Sequence, residues 1–172
     1  MEKVRRNIVK KKQEDLVYKV FRSPIGDITL IASDRALKYL NMGRSKNEFL
    51  GTRGTNRILE ITEQQLKEYF KGQRKTFDIP LDPDGTDFQK RVWKQLLKIP
   101  YGQTITYGEQ AKRIDKPKAS RAVGAANGKN PIGIIVPCHR VIGASGHLTG
   151  FAAGLNIKRQ LLDIEARSTH SR

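Results

Sequence analysis

Apolar and polar positions fall into two periods along the chain. Val17 to Phe21, Ile28 to Ala32 and Ala36 to Leu40 have the length and β-rich composition of strands. Ser23-Pro24-Ile25-Gly26 and Ser33-Asp34 separate them as turns, which predicts a meander of short antiparallel strands. Ser45 to Asn56 is polar and reads as a loop. The period then lengthens. Leu66, Tyr69 and Phe70 share one helical face, which Thr62 with Gln65 opens as a capping box and Gly72 closes. Thr76 to Asp84 holds two prolines and reads as a linker. It divides a small N-terminal lobe, 1–84, from a second lobe, 85–172.

The second lobe reads as helical. Asp87 can cap a helix whose stripe is Phe88, Val92, Trp93, Leu96 and Leu97, ended by Ile99-Pro100-Tyr101-Gly102. A short helix is expected around Tyr107 to Arg113. After the break at Asp115-Lys116-Pro117, a second runs from Lys118 to Asn127, with Ala119, Ala122, Val123 and Ala126 on its inner side. The pair fits a helix-turn-helix, although any helical hairpin has this spacing. The small residues Ala119, Ser120, Ala122, Gly124, Ala125 and Ala126 permit close approach of another surface. That surface is either the protein's own core or a DNA groove, with Lys118 and Arg121 supplying charge.

Charge changes the picture. The 172 residues hold 33 Lys and Arg against 17 Asp and Glu, a net +16, with 37% apolar residues. Such an excess attracts polyanions, nucleic acid foremost, without distinguishing DNA from RNA or an anionic membrane. No apolar run is long enough to span a membrane, and Met1 to Gln13 is polar and basic rather than a secretory signal, so a cytoplasmic protein with a basic arm is expected. A single cysteine excludes an intramolecular disulfide and multi-cysteine zinc sites. The histidines are His139, His147 and His170.

That cysteine ends the apolar run Ile134 to Val136, after Pro137 and directly before His139 and Arg140. A nucleophilic cysteine needs its thiolate, and these two neighbours could lower its pKa if a turn brings them together; a buried, inert cysteine is the competing reading. Ile157 and Leu161 share a helical face on which Glu165 is the next position. A carboxylate there is either at an exposed helix end or set to orient an imidazole. In the second case Cys138, His139 and Glu165 form a nucleophile, base and orienter, which would serve a cysteine hydrolase as well as a transferase. A DNA-binding protein without catalysis is a third possibility.

Pro137-Cys138-His139-Arg140-Val141 closely resembles the active-site motif of the O6-alkylguanine-DNA alkyltransferases. The likeness covers Phe88 to Glu165 and includes Arg121-Ala122-Val123-Gly124 and Asn130-Pro131. It implies an α+β protein: an N-terminal ribonuclease-H-like lobe with a three-stranded antiparallel sheet, and a helical C-terminal lobe with a helix-turn-helix. The implied activity is irreversible, single-turnover transfer of methyl or larger alkyl groups from O6 of guanine in duplex DNA to Cys138, with O4 of thymine as a further possible donor. It also implies a monomer whose partner is double-stranded DNA, with no cofactor and no membrane. Cys138 matches the alkyl acceptor, His139 the residue that takes the thiol proton through a water, and Glu165 the carboxylate behind it. Asn130 matches the hinge asparagine, Tyr107 the tyrosine that crowds the target phosphate and donates to the base, and Arg121 the finger that replaces the flipped base. Lys118, Ala119, Ser120, Ala122 and Gly124 fall on the DNA-binding helix. Val141, Gly143 and Ser145 match a guanine-contacting segment, and Gly150-Phe151-Ala152 a pocket wall. Three departures stand out. The N-terminal lobe lacks the Cys and His ligands of zinc-bearing members, so no metal is expected. Phe151 replaces a frequent tyrosine, and Ala153 a frequent glycine, which narrows the pocket.

Overall fold

A computed structural model describes residues 15–43 and 50–170. The basic arm expected over Met1 to Gln13 and the end of the C-terminal tail lie outside the described residues. Strands β1 (Val17–Ser23) and β2 (Gly26–Ala32) pair antiparallel in a tight hairpin. Its turn requires Gly26, whose φ is 106°. The Ser23 hydroxyl donates to Gly26 O and accepts from Ile25 N, which closes the turn. Strand β3 (Leu37–Met42) adds antiparallel to β2, completing the expected meander. The sheet then gains a strand that the sequence reading assigned to loop. The short β4 (Thr52–Arg53) runs parallel to β1, giving the order β3-β2-β1-β4. Both its residues are exposed, so no apolar alternation could announce it.

Helix α1 (Arg57–Phe70) lays Ile58, Leu59, Leu66 and Tyr69 against the sheet. It starts earlier than expected. Asn56, not Thr62, is the cap: its Oδ1 accepts from Leu59 N at 2.9 Å and its Nδ2 donates to Ser33 O at 3.0 Å. Thr62 sits buried inside the helix and donates to Ile58 O. Its spacing to Gln65 imitated a capping box, but Asn56 is the residue that can cap the helix and grip the sheet together.

In the second lobe, α2 (Asp87–Leu96) is capped by Thr86 with Gln89 in a true capping box, one residue before the expected Asp87. Val92, Trp93 and Leu96 are buried, whereas Leu97 lies outside the stripe at 51% exposure. Helix α3 (Tyr107–Arg113) follows strand β5 (Ile105–Thr106), and Thr106 with Glu109 forms its capping box. Asp115, at φ 59°, turns the chain into α4 (Ser120–Gly128). Trp93 Nε1 donates to Ala126 O, and the Gln110 and Asn127 amides exchange two hydrogen bonds. These pins set α3 and α4 at a fixed angle on α2, so the pair is a helix-turn-helix. Val123 and Ala126 face inward, but Ala122, expected on that side, is exposed.

A 3-10 turn, Cys138–Arg140, leads into β6 (Val141–Ile142), which pairs parallel with β5. Helix α5 (Leu155–His170) closes the lobe. The outer edge of β3 is sealed by two passing segments. Leu37 exchanges backbone hydrogen bonds with Pro80 and Asp82, and Leu40 N donates to Pro131 O at 2.8 Å. Sealing this edge satisfies its amides and welds the cysteine segment to the N-terminal sheet. No helix among the described residues is long and apolar enough to cross a membrane.

Candidate active site

The chain reaches Cys138 through a strained approach. Ile134 is fully buried and has φ of 69°, a conformation that costs a β-branched residue about 1–3 kcal/mol. The segment is held in that shape from inside. Val136 N donates to Ile132 O, while the Asn130 side chain accepts from Ile132 N and donates from Nδ2 to Val136 O at 2.8 Å. Asn130 follows directly on the C-cap of α4, so one amide fastens the cysteine segment to the end of the helix-turn-helix.

Cys138 is 9% exposed and opens into a cavity of about 400 Å³. Asn130, Phe151, Ala152 and Ala153 line that cavity with it, as do Met42 of β3 and Gly133. Of the residues assigned to the substrate pocket, these three from 151–153 therefore meet the cysteine in one space. Val141 is buried on β6, while Gly143 and Ser145 lie on an adjoining turn: Gly143 N donates to His147 O, and exposed Ser145 Oγ pairs with His147 Nδ1. These three do not line the cavity.

Behind the cysteine lies a buried charge cluster. His139 Nε2 is 2.7 Å from Glu165 Oε1. Arg140 donates from Nε to Oε2 and from Nη2 to Oε1, and from Nη1 to Ile99 O. Tyr69 Oη donates to Oε1 at 2.8 Å, and Gly102 N to Oε2 at 2.9 Å. Burial alone would raise the Glu165 carboxyl; the hydrogen bond and charge of His139, then those of Arg140, reverse the sign and hold it low. Burial holds His139 below the ordinary imidazole range, against the pull of Glu165. The resting pair is therefore a carboxylate and a neutral imidazole. With Nε2–H given to the carboxylate, Nδ1 is a buried acceptor that no group among the described residues pairs with.

This corrects one expectation. Burial raises the Cys138 thiol rather than lowering it; the Asn130 side chain, the Lys158 charge and backbone amides offset this only in part. His139 is neutral and Arg140 is spent on Glu165, so neither supplies the free positive charge that adjacency suggested. A thiol with a proton acceptor in reserve fits the site better than a standing thiolate.

Lys158 was not foreseen. It is fully buried, and its Nζ donates to Val141 O and to Thr149 O at 2.9 Å, 5.8 Å above the Tyr107 ring. The buried face of α5 is Lys158, Leu161 and Glu165; Ile157, expected there, is only half-buried. Tyr107, the first residue of α3, donates to Thr149 O at 3.0 Å. Its ring lies against Gly124, where an added Cβ would stand 3.6 Å away. Arg121 and Lys118 are exposed, Ala119 is the N-cap of α4, and Ser120 is its first residue. Tyr107 and Arg121 do not line the cysteine cavity. Among the described residues, no three His, Cys, Asp or Glu side chains gather as a metal site.

Fold and site together define a class: a two-lobed α+β protein with one cysteine, backed by an imidazole–carboxylate pair and mounted beside a helix-turn-helix. Known proteins make the class specific. Residues 87–167 match the 6-O-methylguanine DNA methyltransferase DNA binding domain, and 16–83 match the ribonuclease-like domain of the same proteins. The methylated-DNA–protein-cysteine methyltransferase of Methanosarcina acetivorans is 54% identical over 153 residues, covering 87% of this chain and 98% of that protein. Its counterpart in Mycobacterium tuberculosis is 52% identical over 150 residues, covering 86% and 91%. A crystal structure of Mycobacterium tuberculosis OGT in complex with DNA superposes with a TM-score of 0.84 at 50% identity, covering 88% of this chain and 94% of that one. The chain belongs to the O6-methylguanine-DNA methyltransferase family.

Proposed function

We propose that this protein repairs DNA by moving a methyl or larger alkyl group from O6 of guanine in duplex DNA to the sulfur of Cys138, once per molecule. The observation that carries this is the joint placement of Cys138, Asn130 and the neutral His139–Glu165 pair behind a cavity walled by Phe151 to Ala153. A base inside the stack cannot reach that cavity, so the nucleotide must be flipped out. Exposed Arg121 on α4 fills the gap. Ala122 and Gly124 keep the helix surface shallow enough for close approach, and Ala119 leaves the first amides of α4 without a side-chain cap, open to a phosphate. Lys118 and Ser120 flank that end. The bound partner of the Mycobacterium tuberculosis structure supports DNA as the ligand.

In the transfer, His139 Nδ1 takes the thiol proton through a water, and Glu165 steadies the ring. The Cys138 sulfur forms a bond to the alkyl carbon as the carbon–O6 bond breaks. The bonding pair leaves with guanine, which Tyr107 helps neutralise by donating to a ring nitrogen; the proton lost by the thiol is the one guanine finally carries. Val141, Gly143 and Ser145 border the base, and Phe151 packs against it without a hydroxyl to offer. The thioether has no second base positioned to cleave it, so there is no turnover. The division of labour follows the lobes: 85–172 holds DNA and sulfur, and 1–84 braces them, in a monomer acting in the cytoplasm.

Intact-mass measurement after incubation with O6-methylguanine duplex tests this. One added methyl per chain, mapped to Cys138, is expected. Repeated repair per active cysteine, or transfer by Cys138→Ala, would refute it.

A further inference from the structure

Glu165 gathers five donor contacts, and one of them crosses from the other lobe. Oε1 alone receives His139, Arg140 Nη2 and Tyr69, three donors for an oxygen with two lone pairs. Tyr69 is fully buried among Phe70, Phe77 and Tyr101, where a phenylalanine would pack as well. The hydroxyl is thus the part of the residue that packing does not explain. It spends its proton on the same oxygen that holds His139. We propose, building on the proton relay described above, that Tyr69 is a positioning residue for alkyl transfer, whose hydroxyl sets how strongly Glu165 holds the imidazole proton. The N-terminal lobe thereby tunes a reaction whose other parts sit in the C-terminal lobe.

The sign follows from shared acceptor capacity. Each donor to Oε1 withdraws electron density and weakens the carboxylate as a partner for the others. Without the Tyr69 hydroxyl, Glu165 becomes more basic, its bond to His139 strengthens, and imidazolium is favoured. The other titratable or charged groups bearing on this pair are Arg140 and Cys138 from the 3-10 turn, Tyr101 from the turn after α2, and Lys158 from α5. Arg140 and Lys158 oppose imidazolium. A neutral His139 is what accepts the thiol proton. Tyr69→Phe should therefore move the acid limb of the transfer rate to higher pH by about half a unit, roughly threefold in rate on that limb, with less change on the plateau.

The experiment is single-turnover transfer from O6-methylguanine duplex across the imidazole range. It compares the intact protein, Tyr69→Phe, His139→Gln, the double variant and Glu165→Gln, with DNA affinity measured in parallel by fluorescence anisotropy. An upward shift in Tyr69→Phe at unchanged affinity, absent when His139 is also replaced, supports the assignment. A ring-fluorinated tyrosine at position 69 keeps the packing and donates more strongly, so its limb should move the opposite way. A limb that stays in place in both position-69 proteins, whatever the plateau does, overturns the assignment and leaves Tyr69 a core residue. If that happens while Glu165→Gln is slow, the relay stands and only the role of Tyr69 falls. If Glu165→Gln matches the unaltered protein in rate and profile, both fall.

Discussion

Single residues carry the chemistry through the groups that surround them. Cys138 is kept as a thiol by burial, and its neighbours matter more for receiving a proton than for stabilising an anion. Cys138→Ala should bind methylated duplex with unchanged affinity and transfer nothing, which anisotropy and mass measurement together decide. Lys158→Met keeps the length of the side chain but leaves Val141 O without its lysine donor, at a cost of about 1–3 kcal/mol for a buried group left unpaired, while Thr149 O keeps the Tyr107 hydroxyl. It also removes the positive charge that lowers the thiol. A lowered melting temperature and slower thiol alkylation by a neutral reagent are expected; an unchanged alkylation rate would deny Lys158 its electrostatic part. The sequence showed Cys138, His139 and Glu165 because their types are unusual where they stand. Lys158 escaped notice because a lysine on a helix ordinarily points to water. Tyr69 escaped because an aromatic on an apolar face is already accounted for by packing.

At the scale of elements, the turn after α2 and the helix α4 do the positioning. Gly102 has φ of 76°, and an added Cβ would lie 2.8 Å from Thr169 Cγ2, while its amide donates to Glu165. Gly102→Ala should destabilise the protein by about 1–2 kcal/mol and slow transfer by displacing the carboxylate; denaturant melts and single-turnover rates read the two effects separately. Arg121→Ala should slow repair in duplex DNA more than attack on free O6-methylguanine, and equal losses on the two substrates would contradict a finger in the stack. The existence and order of β1 to β3, α1, α2, α3 and α4 were legible from periodicity. Helix starts were less so. Thr62 and Asp87 carry capping chemistry, yet Asn56 and Thr86 do the capping, because a cap is chosen by where the preceding chain enters. Strand β4 was invisible for a related reason, since two exposed residues become a strand only through the partner they meet.

Across the whole molecule, the buried imidazole and carboxylate set the response to acid. His139 is held neutral in the fold by burial but is free to charge once unfolded. Its contribution to stability is present above the ordinary imidazole pKa, near 6.5, and is lost as pH falls below it. Glu165 is depressed to about 2, so its contribution is present above the usual carboxylate value and lost as pH drops through the folded one. Melting temperature should therefore decline in two stages, one below neutrality and one below about pH 4.5. Glu165→Gln should shrink the second stage, leaving the part that Glu63, Glu68 and Glu109 contribute, and a single stage in the unaltered protein would contradict this account. The net charge of +16 adds that affinity for undamaged duplex should fall steeply with salt.

The hydrogen bond from Leu40 to Pro131 makes the segment before Cys138 an honorary strand of the opposite lobe. Architecture and reactivity are therefore partitioned differently. Sequence divides the protein at a proline-bearing connector, but the sulfur answers to both halves. Any agent that peels the sheet margin away from Ile132 leaves the nucleophile's segment held only by its own bonds and Asn130, even while the paired helices remain folded and able to grip a duplex.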